Sequence, residues 1–117
     1  MIVEAAGGVL VPITENILVA DLVRLVGATP IIAARAGLGT INHTLLTIEA
    51  LEKRDLRPLG VVLIDAGERP THPEMIRENS EAIERISGVV VAGVIGRISD
   101  FSGPPEESYR PLIKLFF

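Results

Sequence analysis

The sequence predicts an α/β fold: a mostly parallel sheet of about four strands with helices on both faces. Short aliphatic runs alternate along the chain with segments whose apolar residues recur at helical spacing, which favours strand–helix–strand units. Hydrophobic residues make up 48% of the 117 residues but aromatic residues only 3%, so the core must be built from Val, Ile, Leu and Ala. Such a composition is typical of a buried parallel sheet. The length predicts a single domain over residues 1–117.

The first two predicted elements are a strand and a helix. The aliphatic residues Met1–Val3 indicate the tail of a strand, and the small residues within Glu4–Gly8 indicate a sharp loop after it. A helix is expected over Ile17–Val26, where Thr14 or Asn16 can cap its start. The inward face of this helix is predicted to comprise Leu18, Leu22, Leu25 and Val26. Because chain ends usually lie in exposed segments, a domain that begins inside a strand is expected to be truncated.

Three further strands and three helices are predicted in regular alternation. The strands are expected at Thr29–Ala34, Leu59–Ile64 and Val89–Ile95. The helices are expected at Thr40–Arg54, from Pro73 to the residue before Gly88, and at Glu106–Phe117. Pro73 fits the first turn of its helix, whereas Pro111 is expected to interrupt the last one. The inward face of the helix that begins at Pro73 is predicted to comprise Met75, Ile76, Asn79, Ala82, Ile83 and Ile86.

Three loops follow the carboxyl ends of predicted strands. They span Glu4–Gly8, Arg35–His43 and Asp65–Pro73. Ligands of open parallel sheets bind beyond the carboxyl ends of the strands, so chemistry is expected at this edge.

The segment Arg35–His43 is the most informative of these loops, because it joins a buried strand to a helix through a glycine turn. Gly37, Gly39 and Thr40 can accept a phosphate or a carboxylate on main-chain N–H groups at the start of the helix. The alternative is an ordinary connection in which the glycines only relieve steric strain. The turn is not a dinucleotide-binding fingerprint, since the third glycine is missing, and no Gly-Lys-Ser or Gly-Lys-Thr occurs anywhere in the chain.

Glu4 is the candidate metal ligand. It follows the first predicted strand and is flanked by small residues, so its carboxylate can hold Mg²⁺ near the phosphates of a nucleotide. The alternative is a carboxylate that accepts hydrogen bonds from the following turn. The two histidines, His43 and His72, are too few for a histidine metal site, and His43 is expected to bond loop backbone or lie at a subunit contact rather than act as a base.

Composition and charge exclude several classes of function. The net charge is −4 without a basic block, so nucleic-acid binding is not expected. There is no cysteine, which excludes disulfides and thiolate metal sites. No apolar stretch approaches the roughly 20 residues that span a bilayer, and no secretory signal is evident. A cytoplasmic protein that binds neither membrane nor nucleic acid is therefore expected.

Three segments resemble the dethiobiotin synthetase family. Val3–Ile13 reads Val-Glu-Ala-Ala-Gly-Gly-Val-Leu-Val-Pro-Ile and is similar to the family's Val-Glu-Gly-Ala-Gly-Gly segment with its following proline. Ala20–Leu22 resembles the next helix of the family. Gly37–Thr47 carries Gly-Thr-Ile-Asn-His, which resembles the family's most specific signature. The resemblance covers essentially the whole chain, but only the C-terminal half of the family.

The resemblance implies a P-loop NTPase-like fold that lacks the P-loop strand, and an enzyme of biotin synthesis. Family members use ATP, Mg²⁺ and CO₂ to close a cyclic urea on 7,8-diaminopelargonate. By the resemblance, Glu4 is the Mg²⁺ ligand, and the phosphate-side loop comprises Ala6, Gly7 and Gly8. The substrate carboxylate is implied to bind at Gly37, Leu38, Gly39, Thr40, Ile41 and Asn42. That carboxylate comes from substrate held largely by the other subunit, so a homodimer is implied.

The resemblance also implies that this chain has no catalytic residue of its own. The P-loop lysine and the lysine that serves carbamate chemistry belong to the half of the family that is not matched. Three positions depart from the family pattern: Ala5, Ile64 and Gly96. Two hypotheses follow. The chain is a fragment or split subunit that is inactive until a separate P-loop-bearing chain complements it, or it is a non-enzymatic carboxylate-binding or regulatory domain derived from the family.

Overall fold

The computed structural model describes residues 1–117 and confirms the α/β class, with a three-stranded parallel sheet and four helices. In chain order the elements are α1 (Val19–Leu25), β1 (Ile31–Arg35), α2 (Thr40–Glu52), β2 (Gly60–Asp65), α3 (Pro73–Ser87), β3 (Val91–Gly96) and α4 (Glu106–Phe116). None of the four helices has the length and apolar character needed to cross a membrane.

The sheet has the strand order β1-β2-β3, and each pair of neighbours is parallel. Ile31 lies opposite Gly60, and the register continues without interruption to Arg35 opposite Ile64. Between β2 and β3 the register shifts at Val61 and Val62, as in a β-bulge. Because β1 pairs with β2 alone, one edge of the sheet is open along β1.

One face of the sheet is covered by α2 and α3, which also pack on each other. The paired residues Ile32 and Val61 join a buried cluster with Ile48 and Leu51 of α2 and Ile83 of α3. These side chains are all aliphatic, as the scarcity of aromatic residues predicts. Burial of such side chains is the main source of stability in a sheet of this kind.

The opposite face is covered by α4 alone, and this helix runs through Pro111 without interruption. The expected break at this proline is therefore wrong. Pro111 is buried, and its Cγ would lie 3.1 Å from a Cβ added at Gly93 of β3. Gly93 has φ +147°, a conformation that side chains rarely adopt. Proline has no N–H, so the helix loses one hydrogen bond at Pro111. The close packing of Pro111 on the Gly93 backbone compensates for that loss.

The predicted strand at Met1–Val3 is absent, so the estimate of about four strands is also wrong. These three residues have no regular secondary structure and their side chains are exposed. A strand requires a hydrogen-bonded neighbour, and no strand of this chain lies beside residues 1–3. The aliphatic composition of residues 1–3 predicts a strand, but it does not reveal whether a neighbouring strand is present to hydrogen-bond with it.

The first helix is shorter than predicted and is not capped by Thr14 or Asn16. Leu18 forms an antiparallel bridge with Pro12, which keeps the chain extended up to the start of α1. The Leu18 N–H donates to the Asp21 carboxylate at 2.9 Å, so an acid in the first turn performs the capping. Three residues of the predicted inward face, Leu22, Leu25 and Val26, are instead exposed.

The third helix confirms its predicted ends but not all of its inward face. Pro73 occupies the first turn, and Gly88 ends the helix in the left-handed conformation. Asn79 and Ile83 are buried as expected, whereas Met75 and Ile86 are exposed. His72 precedes the helix and accepts the Glu74 N–H on its Nδ1, so it caps the helix start.

We expect Gly93→Ala to lower the free energy of unfolding by about 1–3 kcal/mol, because it adds backbone strain and a clash with Pro111. Gly96→Ala is the matched control, since its added Cβ meets nothing within 4 Å and the backbone is not left-handed. Urea unfolding followed by circular dichroism measures both variants. Equal transition midpoints for the two would contradict the packing of α4 described above.

Candidate functional site

The start of α2 presents unpaired main-chain N–H groups. Gly39 is the N-cap residue with φ +92°, and no side chain caps the helix. The Thr40 N–H donates to the Gly37 carbonyl at 3.3 Å, whereas the N–H groups of Ile41 and Asn42 have no acceptor within the chain. Such groups at a helix N-terminus attract anions through hydrogen bonding and the helix dipole. The free donors are thus those of Ile41 and Asn42, whereas the N–H of Thr40, one of the expected donors, is bonded within the turn.

Ala36 anchors this turn to the rest of the fold. Its N–H donates to the Ile64 carbonyl of β2 at 3.0 Å, and its own carbonyl accepts from Asn79 Nδ2 of α3 at 3.0 Å. Asn79 is only 9% exposed, so the bond is shielded from water. Sequence analysis placed Asn79 inward without assigning it a role. The sequence did contain a signal for this role. A buried amide on an otherwise apolar helix face must form hydrogen bonds, so a partner for Asn79 could have been expected.

A second clamp braces the loop after β2. The Asp65 carboxylate accepts from the Thr71 N–H at 3.0 Å and from Thr71 Oγ1 at 2.8 Å. Thr71 Oγ1 would lie 3.6 Å from a Cβ added at Gly37, so this loop packs beside the glycine turn. Two of the three loops expected at the carboxyl edge of the sheet are thus in contact. The sequence analysis did not identify this clamp.

A cavity of about 420 Å³ lies between the first loop, the open edge of β1 and the start of α2. Gly7 and Gly8 line one side of it, so the structure brings the proposed phosphate-side loop towards α2. The polar side chains in its lining are Arg35, Thr40, His43, Thr44 and Thr47. Arg35 forms no ion pair within the chain. The cavity therefore combines a free cation with hydroxyl groups.

The remaining predicted site residues are divided between this cavity and its surroundings. Leu38 and Thr40 line the cavity, and the Thr40 hydroxyl lies 3.2 Å from the Thr44 hydroxyl. Three predicted residues, Ala6, Ile41 and Asn42, are not part of its lining. The lining also omits Gly37 and Gly39. The cavity and the unpaired N–H groups of α2 are therefore adjacent features rather than one enclosed pocket.

Glu4 is exposed and makes no hydrogen bond within the chain. No group of three or more His, Asp or Glu side chains comes together anywhere in the structure. Mg²⁺ commonly uses one or two carboxylates together with water and substrate phosphates, so a single free carboxylate is compatible with a shared site but does not form one. The role of Glu4 stays a prediction.

Neither lysine of this chain lies at the cavity beside β1. Phosphoryl transfer uses a lysine to hold the phosphates, and the chain has only Lys53 and Lys114. Lys53 follows the end of α2 and pairs with Glu49 at 2.7 Å, while Lys114 lies in α4. Neither lines the cavity beside Gly7 and Gly8. The guanidinium that lines this cavity belongs to Arg35.

The carboxyl groups with shifted pKa values lie outside this region. The Leu18 N–H and the Arg54 guanidinium lower the pKa of Asp21, which joins α1 to the end of α2. The Lys53 ammonium lowers the pKa of Glu49. Hydrogen bonds from Ser102 lower the pKa of Asp100. These ionised groups stabilise helix ends and a loop, and none is poised as an acid or base.

A second cavity of about 390 Å³ lies at the carboxyl ends of β2 and β3. Its lining is mostly apolar and comprises Ile64, Ala66, Ile95, Gly96, Ile98 and Phe101, with Arg97 as its one charged residue. The sequence analysis named Ile64 and Gly96 of this lining as departures from the pattern of the family that the chain resembles.

Comparison with known proteins gives a family and several relatives. A model of the family described as an AAA domain matches residues 1–105. The ATP-dependent dethiobiotin synthetase of Methanococcus vannielii is 38% identical over 104 residues, which cover 86% of this chain and 47% of the relative. The enzyme of the same name from Bacillus licheniformis is 40% identical over 101 residues, covering 86% of this chain and 42% of the relative.

A third relative with the same name, from Anaeromyxobacter dehalogenans, is 45% identical over 87 residues. That match covers 74% of this chain and 38% of the relative. The chain therefore spans less than half the length of these curated relatives.

We expect Asn79→Ala to destabilise the fold by about 1–3 kcal/mol, because the Ala36 carbonyl then stays buried without its donor. Ser80→Ala is the control on the same helix, since the Ser80 hydroxyl bonds only to the Ile76 carbonyl one turn earlier, which already belongs to the helix. Chemical unfolding gives both free energies. If Asn79→Ala is as stable as Ser80→Ala, Asn79 does not anchor the turn.

Proposed function

The chain belongs to the family described as an AAA domain, and from that premise we propose that it forms part of a dethiobiotin synthetase. The proposed reaction links the two amino groups of 7,8-diaminopelargonate through the carbon atom of CO₂, which gives a cyclic urea. The observation that carries the proposal is the similarity to ATP-dependent dethiobiotin synthetases over 86% of the chain. Because less than half of each relative is matched, the whole activity is assigned to this region together with the part of the relatives that it does not match, as a fragment or a split subunit.

Within that reaction, the turn Gly37–Asn42 binds the carboxylate of the diamino acid. The unpaired N–H groups of Ile41 and Asn42 support this role, because two such donors at a helix start suit a carboxylate. The bond between Asn79 and Ala36 holds the turn in place before the substrate arrives. Fixed donors lose little entropy on binding, which increases the affinity they provide.

The phosphate side of the site is assigned to Ala6, Gly7 and Gly8, with Glu4 as the Mg²⁺ ligand. Open glycine backbone allows close approach of a phosphate, and a Cβ added at Gly8 meets nothing within 4 Å. ATP, when bound, supplies the phosphoryl group that activates a carbamate oxygen as a leaving group. The contacts that position this group are assigned to a P-loop half, which is the rest of the same protein if this region is a fragment and a separate chain if it is a split subunit.

A homodimer is part of the same proposal. The carboxylate bound at the turn belongs to substrate that the partner subunit holds by its other end. Leu38, just before α2, and Leu46, in the second turn of α2, are exposed and apolar, as an interface would require. His43 lies in the same turn of the helix and is exposed.

The test mixes this chain with a separately expressed P-loop half from a relative and measures ATP-dependent dethiobiotin formation. We expect no product from this chain alone and product from the mixture. Ile41→Pro removes one main-chain donor in a helical turn that tolerates proline, while Ile41→Ala removes the same side chain but keeps the donor. Loss of a hydrogen bond to a charged group predicts a rise in KM for the diamino acid of about 10–100-fold in Ile41→Pro only.

The second candidate function is a non-enzymatic carboxylate-binding or regulatory domain. The observation that favours it is the absence of Gly-Lys-Ser or Gly-Lys-Thr together with two lysines that lie outside both cavities. Calorimetry with diaminopelargonate and with ATP·Mg²⁺ separates the two candidates. Binding of the acid without nucleotide, and no product in any mixture, supports this second function. Tight binding of ATP by the chain alone contradicts it.

A further inference from the structure

Residues 1–29, called the N-terminal segment below, are joined to the rest of the chain by a single polar contact. Arg54, just after α2, donates from its Nε to the Asp21 carboxylate of α1 at 3.3 Å. Every other hydrogen bond of the N-terminal segment stays within it, and no other ion pair leaves it. The ion pair is therefore the one directional link between this segment and the sheet and helices that follow.

The apolar contacts of the N-terminal segment with the core come from small side chains. Val19 and Ala20 are buried, and Val9 packs against the aliphatic cluster. The larger apolar side chains at the end of α1, Leu25 and Val26, are exposed instead. Hydrophobic burial is non-directional, so contacts of such small side chains hold α1 near the core without fixing its orientation.

A series of hydrogen bonds transmits the orientation of α1 to the glycine loop. The Ala20 N–H donates to the Val9 carbonyl at 2.9 Å. The Val19 N–H donates to the Val11 carbonyl at 3.0 Å, and the Val11 N–H donates to the Gly8 carbonyl at 3.1 Å. The position of Gly8 therefore depends on the first turn of α1, from which it is separated by two hydrogen bonds.

The two partners of the ion pair are each held by further bonds. The Arg54 guanidinium also donates from Nη1 to the Ala50 carbonyl at 3.0 Å, and the Arg54 main-chain N–H donates to the Leu51 carbonyl at 2.9 Å. Asp21 also accepts the Leu18 N–H at 2.9 Å. The side chains of Arg54 and Asp21 are 26% and 28% exposed. Partners that are already held in place lose little side-chain entropy when they pair.

We propose that Asp21 and Arg54 are positioning residues, whose ion pair sets where the Gly7–Gly8 loop lies relative to α2. This rests on the proposed function, in which that loop faces the phosphates of ATP. Gly7 and Gly8 line the same cavity as Thr40 and Thr44 of α2, so a rotation of α1 changes the width of that cavity. Neither member of the ion pair lines the cavity, so the pair acts only through the loop.

The carboxylate-binding turn is held independently of this ion pair. Ala36, at the start of the turn, bonds to the Ile64 carbonyl and to the Asn79 amide, and neither of these residues belongs to the N-terminal segment. Loss of the ion pair should therefore displace the phosphate side of the site and leave the carboxylate side in place.

Three substitutions isolate the ion pair. Arg54→Gln removes the cation but keeps the bond between Leu18 and Asp21 that begins α1. Arg54→Lys is the conservative variant, because it retains a cation for Asp21. Glu49→Gln is the matched control, because it removes the ion pair with Lys53 at the same end of α2, which does not reach the N-terminal segment.

A distance measurement on this chain alone tests whether the ion pair fixes the loop. The chain has no cysteine, so the exposed positions Leu10, beside the loop, and Glu78, on α3, can be changed to cysteine and spin-labelled. Dipolar spectroscopy, with the labelled chain diluted in unlabelled chain, then gives the distribution of distances. We expect this distribution to be about twofold broader in Arg54→Gln, because the segment loses its directional link, and unchanged in Arg54→Lys and Glu49→Gln.

Steady-state kinetics of the mixture with a P-loop half test the consequence for the site. We expect the KM for ATP to rise about 3–10-fold in Arg54→Gln, as the loss of a partly exposed ion pair predicts. The KM for diaminopelargonate should not change, and Arg54→Lys and Glu49→Gln should resemble the unsubstituted chain. Equal rises in both KM values, or a loss confined to kcat, would indicate general destabilisation and overturn the positioning role.

The two measurements separate this inference from the proposed function. If the unsubstituted mixture forms no product, the proposed function fails, and the distance measurement decides whether the ion pair fixes the loop. If product forms but Arg54→Gln and Glu49→Gln give equally narrow distributions, the positioning role is overturned and the proposed function stands. A distribution that is already broad in the unsubstituted chain would also overturn the positioning role.

Discussion

The structure depends on the backbone of Ala36, which is held from two sides at once. Its N–H belongs to the β1–β2 ladder, and its carbonyl is bound by a buried amide from α3. Ala36 is 1% exposed, so neither bond competes with water. One bond comes from β2 and the other from α3, so the sheet and the helix layer together fix the position of the glycine turn that follows Ala36. Breaking either bond would leave a buried polar group without a partner.

The two faces of the sheet are stabilised in different ways. On the α2 and α3 face, branched aliphatic side chains interdigitate in a continuous cluster. On the α4 face, helix and backbone approach directly, because Gly60 and Gly93 lie under Leu115 and Pro111. A proline within a helix is costly only where its missing N–H and its ring are not accommodated. In α4 the ring of Pro111 packs on Gly93 and so holds the helix against the sheet.

The groups of this chain that suit an anion lie close to the open edge of the sheet. They are the unpaired main-chain donors of α2 and the free guanidinium of Arg35, and no lysine lines either cavity. The cavity that Arg35 lines runs along β1, so these groups are positioned by the strand and the helix that the glycine turn connects.

The sequence by itself determined the features that depend on neighbouring residues. Helical periodicity located α2, Pro73 and Gly88 marked the ends of α3, and the aliphatic runs located three strands to within two residues. It also identified the glycine turn and, through Gly-Thr-Ile-Asn-His, the family. These signals are local, because propensity and capping act over a few residues.

Only the tertiary structure decided the features that require a distant partner. Residues 1–3 are aliphatic yet form no strand, since no neighbouring strand is present to bond them. Pro111 continues a helix because Gly93 lies opposite, and Asn79 is an anchor because the Ala36 carbonyl lies within reach. The candidate site shows the same division: the glycine turn before α2 was predictable, whereas the identity of its unpaired N–H groups, the Asp65–Thr71 clamp and the cavity beside β1 were not. Hydrogen bonding and packing between elements far apart in the chain leave no periodic trace in the sequence, so their outcome is set by the fold.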